Sequence, residues 1–386
     1  MPLLEEYERR TAWKYKPVRG IFHTHEELIA KVRPDGSYAP FTGSTVVFRP
    51  GKLCRQVVPL IQQVIAEKLD GTDMLAEPLP ASTVHMTLHD LVSPEMCGCD
   101  PKNESLYNNK IRTSLKQAAR ISEEIREAYT GRKITMVADR IVNMVSKSLV
   151  LLMKPCTEQD YELLMEMYRR FETGIPLPYP LTPHITLAYF KLGMIDGNRL
   201  GEALDFAQIR PENAPVFEFY PEALTAQKFS DMQTYSDLPV RICFCCDGGM
   251  NRSVMAANIL NHLAEKRGLP VRGAARSAYE NTQGRPVPET VWEVLEKNGI
   301  MPDKSYAEAR YLEEREYSHY TSFAALTAGA VSRLSWMRVP EERIEDASLY
   351  FYGVPDPEYG EVSHEQAFAE LYERAGRYLD AFEKAF

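Results

Sequence analysis

The chain has 386 residues, of which 44% are hydrophobic and 26% charged, and its formal net charge is −9. This length suggests about two domains. The acidic balance argues against a protein that grips nucleic acid along its length. A nucleic-acid ligand would therefore be an end or a small nucleotide held in a pocket.

Cysteine content and the N-terminal segment bear on the cellular compartment. The seven cysteines are clustered and odd in number, at positions 54, 97, 99, 156, 243, 245 and 246. This pattern favours a reducing compartment over a disulfide framework. The first residues are acidic and lack an apolar signal core, and no apolar run approaches the ~20 residues of a membrane span. We expect a cytoplasmic protein that does not contact a membrane.

Residues 1–40 are predicted to be an N-terminal extension with some helix, because their charges are mixed and their aromatic residues scattered. His23 and His25 form a His-x-His pair. Since no further ligand lies near them in the sequence, a surface turn explains them better than a metal site. Neither a metal nor a cofactor is expected.

Residues 41–235 read as an α+β domain of two similar lobes, because helices and strands recur in a roughly repeated order. Strands are predicted from residue 43, over 133–138 and 148–154, and last over 216–220; helices are predicted over 53–69, 108–130 and 158–173. A polar linker is predicted at residues 236–239, within a polar stretch that ends in Leu-Pro.

Two similar tetrapeptides, His85-Met-Thr87-Leu and His184-Ile-Thr186-Leu, lie 99 residues apart in this domain. On a strand, residues two apart point the same way, so each His and Thr share one face while the apolar residues face a core. Two histidines across a phosphodiester can act as general base and general acid. The threonines would hold its non-bridging oxygens. The alternative is a pair of ordinary half-buried strand histidines; His89, on the same face at the strand mouth, is given no role.

This pair resembles the two-histidine (2H) phosphoesterase superfamily, whose motifs lie on paired central strands of a bilobal α+β fold. The resemblance covers about residues 41–235. It implies catalytic roles for His85, Thr87, His184 and Thr186 and activity on cyclic phosphates or related esters of RNA ends, nucleotides or ADP-ribose derivatives. Some members of that superfamily ligate or only bind RNA.

Residues 240–386 predict an α/β three-layer domain with a parallel sheet, because strands and helices alternate. Strands are predicted over 240–245 and 271–275, and helices from about 252, over 286–298 and over 364–384. In such sheets ligands bind at the carboxyl ends of the strands. The segment that follows the first predicted strand lies at such an end.

That segment places five residues between Cys246 and Arg252, which Ser253 follows directly; this is the C-x5-R-S spacing of cysteine-dependent phosphatases. A helix N-terminus binds phosphate, and together with a guanidinium it stabilises a thiolate. Arg252 would grip two phosphoryl oxygens, and Ser253 would donate to the sulfur. The alternative is a buried cysteine at the end of a central strand.

Asp356-Pro357 follows 110 residues after Cys246. Phosphoryl transfer needs a proton for the leaving oxygen, and Asp356 is the candidate donor, although Asp-Pro is also an ordinary turn. Together these features resemble the low-molecular-weight protein tyrosine phosphatase family over nearly all of 239–386. That resemblance implies a phosphocysteine on Cys246, with Asp356 as acid and then base. It places the substrate among Gly248, Gly249, Met250, Asn251, Tyr279, Glu358 and Tyr359.

The sequence departs from that family at four positions. Gly249 replaces Asn, Asn251 replaces a second Cys, Gly273 replaces a Ser that braces the loop, and Glu358 replaces an aromatic wall residue. We expect the bracing hydrogen bonds to be replaced or lost, and Glu358 to disfavour a phenyl ring. Arsenate reductases share this fold but need redox cysteines downstream, and none follows Cys246.

The favoured hypothesis is a bifunctional phosphoesterase that opens a cyclic phosphodiester and then removes the resulting monoester. Its substrate would be a phosphorylated small molecule, a nucleotide or an RNA terminus. Two alternatives remain: a protein tyrosine phosphatase whose first domain binds RNA or a nucleotide, and a silenced phosphatase that only binds phosphate.

Overall fold

The computed structural model describes residues 5, 9, 12, 15–16, 18–96, 103–205, 214–339, 341–357, 360 and 362–385. The chain divides into two compact units, residues 1–237 and 238–386. Within the described ranges, no helix has both the length and the apolar character needed to cross a membrane.

The first unit is built on two antiparallel sheets. Its strands are β1 Tyr15–Lys16, β2 Ile21–His23, β3 Gly43–Phe48, β4 Met86–Val92, β5 Ile134–Met144, β6 Ser148–Pro155, β7 His184–Tyr189, β8 Met194–Asp196, β9 Val216–Phe219, β10 Leu224–Phe229 and β11 Tyr235–Leu238. One sheet has the order β1-β5-β6-β7 with β9 also paired to β5, the other has the order β11-β10-β3-β4, and β2 pairs with β8 apart from both.

In the described part of this unit, four α-helices accompany the sheets: α1 Lys52–Lys68, α2 Glu104–Ala128, α3 Glu158–Glu172 and α4 Gly197–Asp205. α2 packs on β3, β4 and β10, whereas α3 packs on β5 and β6. α2 begins where the Asn103 side chain accepts a hydrogen bond from the Leu106 N–H, and α3 begins where Thr157 accepts one from the Asp160 N–H. Such caps satisfy backbone donors that a helix start leaves unpaired.

The predicted alternation on the two histidine strands is confirmed. Met86, Leu88, Ile185 and Leu187 are buried, with at most 2% of each exposed, whereas the histidines and threonines between them are half-buried. β4 and β7 each end the strand order of their sheet, and they contact one another. The two sheets therefore meet along the strands that carry the histidines.

The predictions for residues 1–40 and 236–239 need correction. β1 pairs with β5 and β2 pairs with β8, so the described residues of the predicted extension belong to the first unit. Residues 235–238 are strand β11 rather than a linker. The segment contains the charged Asp237, which a strand can hold here because its carboxylate accepts hydrogen bonds from Arg49 and Gln227. β9 is consequently not the last strand of the unit.

The second unit has a parallel sheet of β12 Val240–Cys246, β13 Val271–Ser277 and β14 Ser322–Ala325 in the order β13-β12-β14. Its helices are α5 Arg252–Lys266, α6 Glu289–Lys297, α7 Ala328–Trp336, α8 Glu341–Phe351 and α9 His364–Ala385. β14, α7 and α8 were not predicted from the sequence.

Alternate residues of β12 face two different cores. Ile242, Phe244 and Cys246 pack with side chains of α5, α6 and α9. Cys243 and Cys245 face the opposite side, towards side chains of α7. Helices on both faces explain why β12 is almost entirely buried, and they confirm the predicted parallel α/β arrangement.

Candidate active sites

The two His-x-Thr motifs of the first unit line one cavity of about 370 Å³. His85 and Thr87 reach it from the β4 side, and His184 and Thr186 reach it from β7. Two imidazole rings and two hydroxyl groups therefore face one volume.

The His184 ring is oriented by its own strand. Its Nδ1 lies 2.7 Å from the Thr182 carbonyl oxygen, which can only accept, so Nδ1 carries a proton. Nε2 is then the nitrogen whose protonation changes. When His184 is charged, Nε2–H is available as a donor.

His85 has a different electrostatic environment. Burial, followed by the positive charges of Arg49 and His184, lowers the pKa of His85 to about 4; the Thr83 backbone and Asp237 act in the opposite direction. Arg49 is fixed by two hydrogen bonds to Asp237, of 2.6 and 3.0 Å. His85 is consequently neutral over the physiological pH range, which suits a base.

Aromatic side chains that were not predicted as site residues form one wall of this cavity. Phe41 and Phe229 are stacked with centroids 6.2 Å apart, and Tyr235 lies 5.5 Å from Phe229 and 5.3 Å from His85. Phe229 and Tyr235 belong to β10 and β11, which lie beyond the predicted last strand. Predicting those two strands from the sequence would have identified these aromatic residues.

His89 does not lie at the mouth of the strand. Its ring is buried, and its Nε2 is 2.9 Å from Glu172 Oε1. The β3–β4 pairing shifts register between Val46 and Val47, and this irregularity interrupts the simple alternation that places His89 beside His85. Burial lowers the pKa of His89, and Glu172 partly offsets this effect.

In the second unit, the residues between β12 and α5 fold around the Cys246 sulfur. The Gly249 N–H donates to Cys246 Sγ over 3.2 Å, and Ser253 Oγ lies 3.3 Å from that sulfur. Gly249 has φ +68°, and a Cβ there would lie 2.7 Å from the Ser277 Cβ. Glycine is thus required by both conformation and space.

Arg252 and Asp356 meet as a buried ion pair. Arg252 Nη2 donates to Asp356 Oδ2 over 2.5 Å, and Nη1 donates to the Val354 carbonyl oxygen over 2.9 Å. The structure therefore brings together the predicted arginine and the predicted proton donor, although they lie 104 residues apart.

Ser277, at the end of β13, braces the Cys246 loop. Its Oγ donates to the Asp247 carbonyl oxygen and accepts from the Tyr279 N–H, each over 3.0 Å, and Thr282 Oγ1 also donates to it. Of the two expected outcomes, replacement or loss of the bracing hydrogen bonds, the structure shows replacement by Ser277. β13 continues beyond its predicted end at 275, so the bracing serine follows Gly273 by four residues.

We expect Ser277→Ala to lower the free energy of unfolding by about 1–3 kcal/mol, because buried partners lose their hydrogen bonds. Phosphatase activity should fall as the loop loosens. Chemical denaturation and a phosphomonoesterase assay measure both effects, with the exposed Ser305→Ala as control. Unchanged stability and activity in Ser277→Ala would show that the loop does not depend on this brace.

The remaining predicted binding residues have different placements. Gly248 is half-buried and Asn251 is buried immediately before α5. The Met250 side chain packs into the core with Cys246. Tyr279 is 36% exposed. Glu358 and Tyr359 lie outside the described residues.

Comparison with known families identifies the domain that carries this second site. Residues 241–385 match the family of the low molecular weight phosphotyrosine protein phosphatases. The second unit therefore carries a domain of that family, which we call the phosphatase domain. The match spans under half of the chain and supports a cysteine-dependent hydrolase of phosphoric esters.

Several solved structures are similar to parts of the chain. YfkJ from Bacillus subtilis is 25% identical, covering 38% of this chain and 96% of its own, with a TM-score of 0.33. The YwlE arginine phosphatase from Geobacillus stearothermophilus is 24% identical, covering 38% and 95%, with a TM-score of 0.32. A conserved protein of unknown function from Agrobacterium tumefaciens is 17% identical, covering 61% and 97%, with a TM-score of 0.41. No curated protein sequence matches the chain.

Proposed function

We propose that the protein is a bifunctional phosphoesterase. The first unit opens a cyclic phosphodiester of an RNA end, a nucleotide or an ADP-ribose derivative, and the phosphatase domain removes the resulting monoester. The observation that carries the proposal is that His85, Thr87, His184 and Thr186 line one cavity in a chain that also carries a phosphatase domain.

In the first step, a water molecule attacks phosphorus while neutral His85 takes its proton. The bond from phosphorus to one ribose oxygen breaks, and charged His184 gives the Nε2 proton to that oxygen. The product is a phosphomonoester. The Thr87 and Thr186 hydroxyls donate to the non-bridging oxygens, whose negative charge they stabilise in the transition state.

In the second step, the Cys246 thiolate attacks the monoester phosphorus. The leaving oxygen takes a proton from Asp356, and a phosphocysteine forms. Water then attacks this intermediate, gives a proton to Asp356 and releases phosphate with the thiolate. Arg252 binds two phosphoryl oxygens throughout. The substrate phosphate replaces the Asp356 carboxylate as its partner, which allows Asp356 to carry a proton.

In the pH profile of cyclic-ester opening, the loss of activity on the acid side (the acid limb) should occur at a pH well below the pKa of an ordinary histidine. His85 must be neutral to act as a base, and its pKa is about 4. As His85 loses its proton, kcat/KM for cyclic-ester opening should therefore rise with pH and level off near about pH 5. Arg49→Met should move the limb to higher pH, whereas the exposed Arg55→Met should not. An acid limb near pH 6.5 in the wild-type protein would contradict His85 as the base.

The proposal is tested by giving the protein nucleoside 2′,3′-cyclic phosphates and ADP-ribose 1″,2″-cyclic phosphate and measuring free phosphate. Release of phosphate from at least one of them is expected. Turnover of none would refute the proposal. High activity on phosphotyrosyl peptides, unaffected by replacing His85 and His184, would instead favour a protein tyrosine phosphatase with a nucleotide-binding first unit.

The silenced-phosphatase alternative has its own test. Without Asp356, the leaving oxygen and the hydrolytic water both lack their proton partner. Asp356→Ala treated with an activated aryl phosphate should therefore accumulate phosphocysteine, which mass spectrometry detects. An active wild-type domain excludes the alternative.

A further inference from the structure

A cluster of two aromatic rings and one arginine lies beside the Cys246 loop, and the mechanism above does not use it. The Arg333 guanidinium carbon is 3.9 Å from the centroid of the Trp336 ring and 6.0 Å from that of Tyr279. Trp336 is 70% exposed and Tyr279 is 36% exposed. We call Tyr279, Arg333 and Trp336 the aromatic cluster.

Close contacts connect this cluster to the loop. Thr327, immediately before α7, donates its Oγ1 hydrogen to Asp247 Oδ1 over 2.9 Å. A Cβ at Gly329 would lie 2.5 Å from the same carboxylate oxygen and 3.2 Å from the Tyr279 hydroxyl. Asp247, Tyr279 and the start of α7 therefore lie close together. The absence of a side chain at Gly329 permits this approach.

Among the described residues, the Arg333 side chain has no acidic partner and makes no hydrogen bond or salt bridge. Its Nε is buried without a hydrogen-bond partner. Stacking on an indole keeps a guanidinium charged and leaves its N–H edge available for an anion. Since a helix rises 1.5 Å per residue, Arg333 lies about 9 Å along α7 from Thr327.

We propose that the aromatic cluster is a subsite of the phosphatase domain for a nucleotide that carries two separate phosphate groups. The monoester phosphate lies on the Cys246 loop, the second phosphate binds Arg333, and the base stacks on the exposed Trp336 ring. The inference rests on the proposed phosphomonoesterase function and specifies its substrate class. A planar ring suits Trp336, and a bidentate phosphate suits the guanidinium edge.

The test compares adenosine 3′,5′-bisphosphate, adenosine 3′-monophosphate and p-nitrophenyl phosphate as substrates of the full chain. The bisphosphate should have a higher kcat/KM than the 3′-monophosphate. Arg333→Ala should lower its kcat/KM about 10- to 100-fold, the effect of losing a charged hydrogen-bonded contact. The same variant should change turnover of p-nitrophenyl phosphate by less than about threefold, because this substrate has neither the base nor the second phosphate.

Matched variants separate binding from a structural role. Trp336→Ala should weaken both nucleotides, and Arg333→Lys should keep part of the bisphosphate preference because it retains the charge. Arg377→Ala and Leu349→Ala, exposed residues on other helices, should have no effect. An equal loss with p-nitrophenyl phosphate, an unaltered preference in Arg333→Ala, or a stronger preference for phosphotyrosyl peptides would overturn the subsite.

A binding measurement keeps this inference distinct from the proposed function. In a Cys246→Ser background, calorimetry should show tighter binding of adenosine 3′,5′-bisphosphate than of the 3′-monophosphate, and Arg333→Ala should remove the difference. If p-nitrophenyl phosphate is hydrolysed but the difference is absent, the subsite is wrong and the phosphatase stands. If no monoester is hydrolysed but the difference is present, the phosphomonoesterase function is wrong and the subsite stands.

Discussion

Cys246→Ser should reduce phosphomonoesterase activity by about 10⁴-fold or more, because a hydroxyl in place of the thiolate cannot form the phosphoenzyme at a useful rate. The sulfur is the centre of the loop: the Gly249 N–H and Ser253 both contact it. Steady-state kinetics on p-nitrophenyl phosphate measures the loss.

Two controls define this result. The exposed Cys156→Ser should retain wild-type activity, which excludes a general effect of removing a thiol. Opening of a cyclic ester by Cys246→Ser should also continue at the wild-type rate, so that monoester accumulates. Residual phosphomonoesterase activity within tenfold of wild type would remove Cys246 as the nucleophile.

His184→Ala should slow the opening of a cyclic phosphodiester by about 10²–10⁴-fold, the usual contribution of a positioned general acid. Its Nδ1 is fixed by the Thr182 carbonyl, so Nε2 is the group that the substitution removes from the cavity. Quantifying the remaining cyclic ester by chromatography gives the rate.

The matched control is His23→Ala, which removes an exposed histidine of β2 in the same unit. Hydrolysis of p-nitrophenyl phosphate by His184→Ala should stay at the wild-type level, because that reaction belongs to the second unit. If cyclic-ester opening were also unchanged, the two His-x-Thr motifs would be ordinary strand residues.

Local sequence patterns predicted the residues that lie on regular elements. The spacing Cys246-x5-Arg252 anticipated a strand, a loop and a helix start, and the period of two in His85-x-Thr87 anticipated which side chains face the cavity. Both patterns depend only on neighbours in the chain. The structure places these residues as the patterns required.

Features that depend on distant contacts were not accessible in the same way. β11 contains the charged Asp237, and the Arg49 that pairs with this carboxylate lies 188 residues away, so the segment resembles a polar linker in the sequence. The brace from Ser277 was missed because the end of β13 is set by its pairing with Cys246. The Arg252–Asp356 contact joins α5 to the segment after α8, and only the fold brings these together.

The central claim is that one chain converts a cyclic phosphodiester to inorganic phosphate through a monoester. A ³¹P NMR time course of the full chain with a cyclic substrate tests it most directly. The cyclic signal should decay, a monoester signal should rise and fall, and inorganic phosphate should follow. A cyclic signal that persists while an added monoester is hydrolysed would contradict the claim.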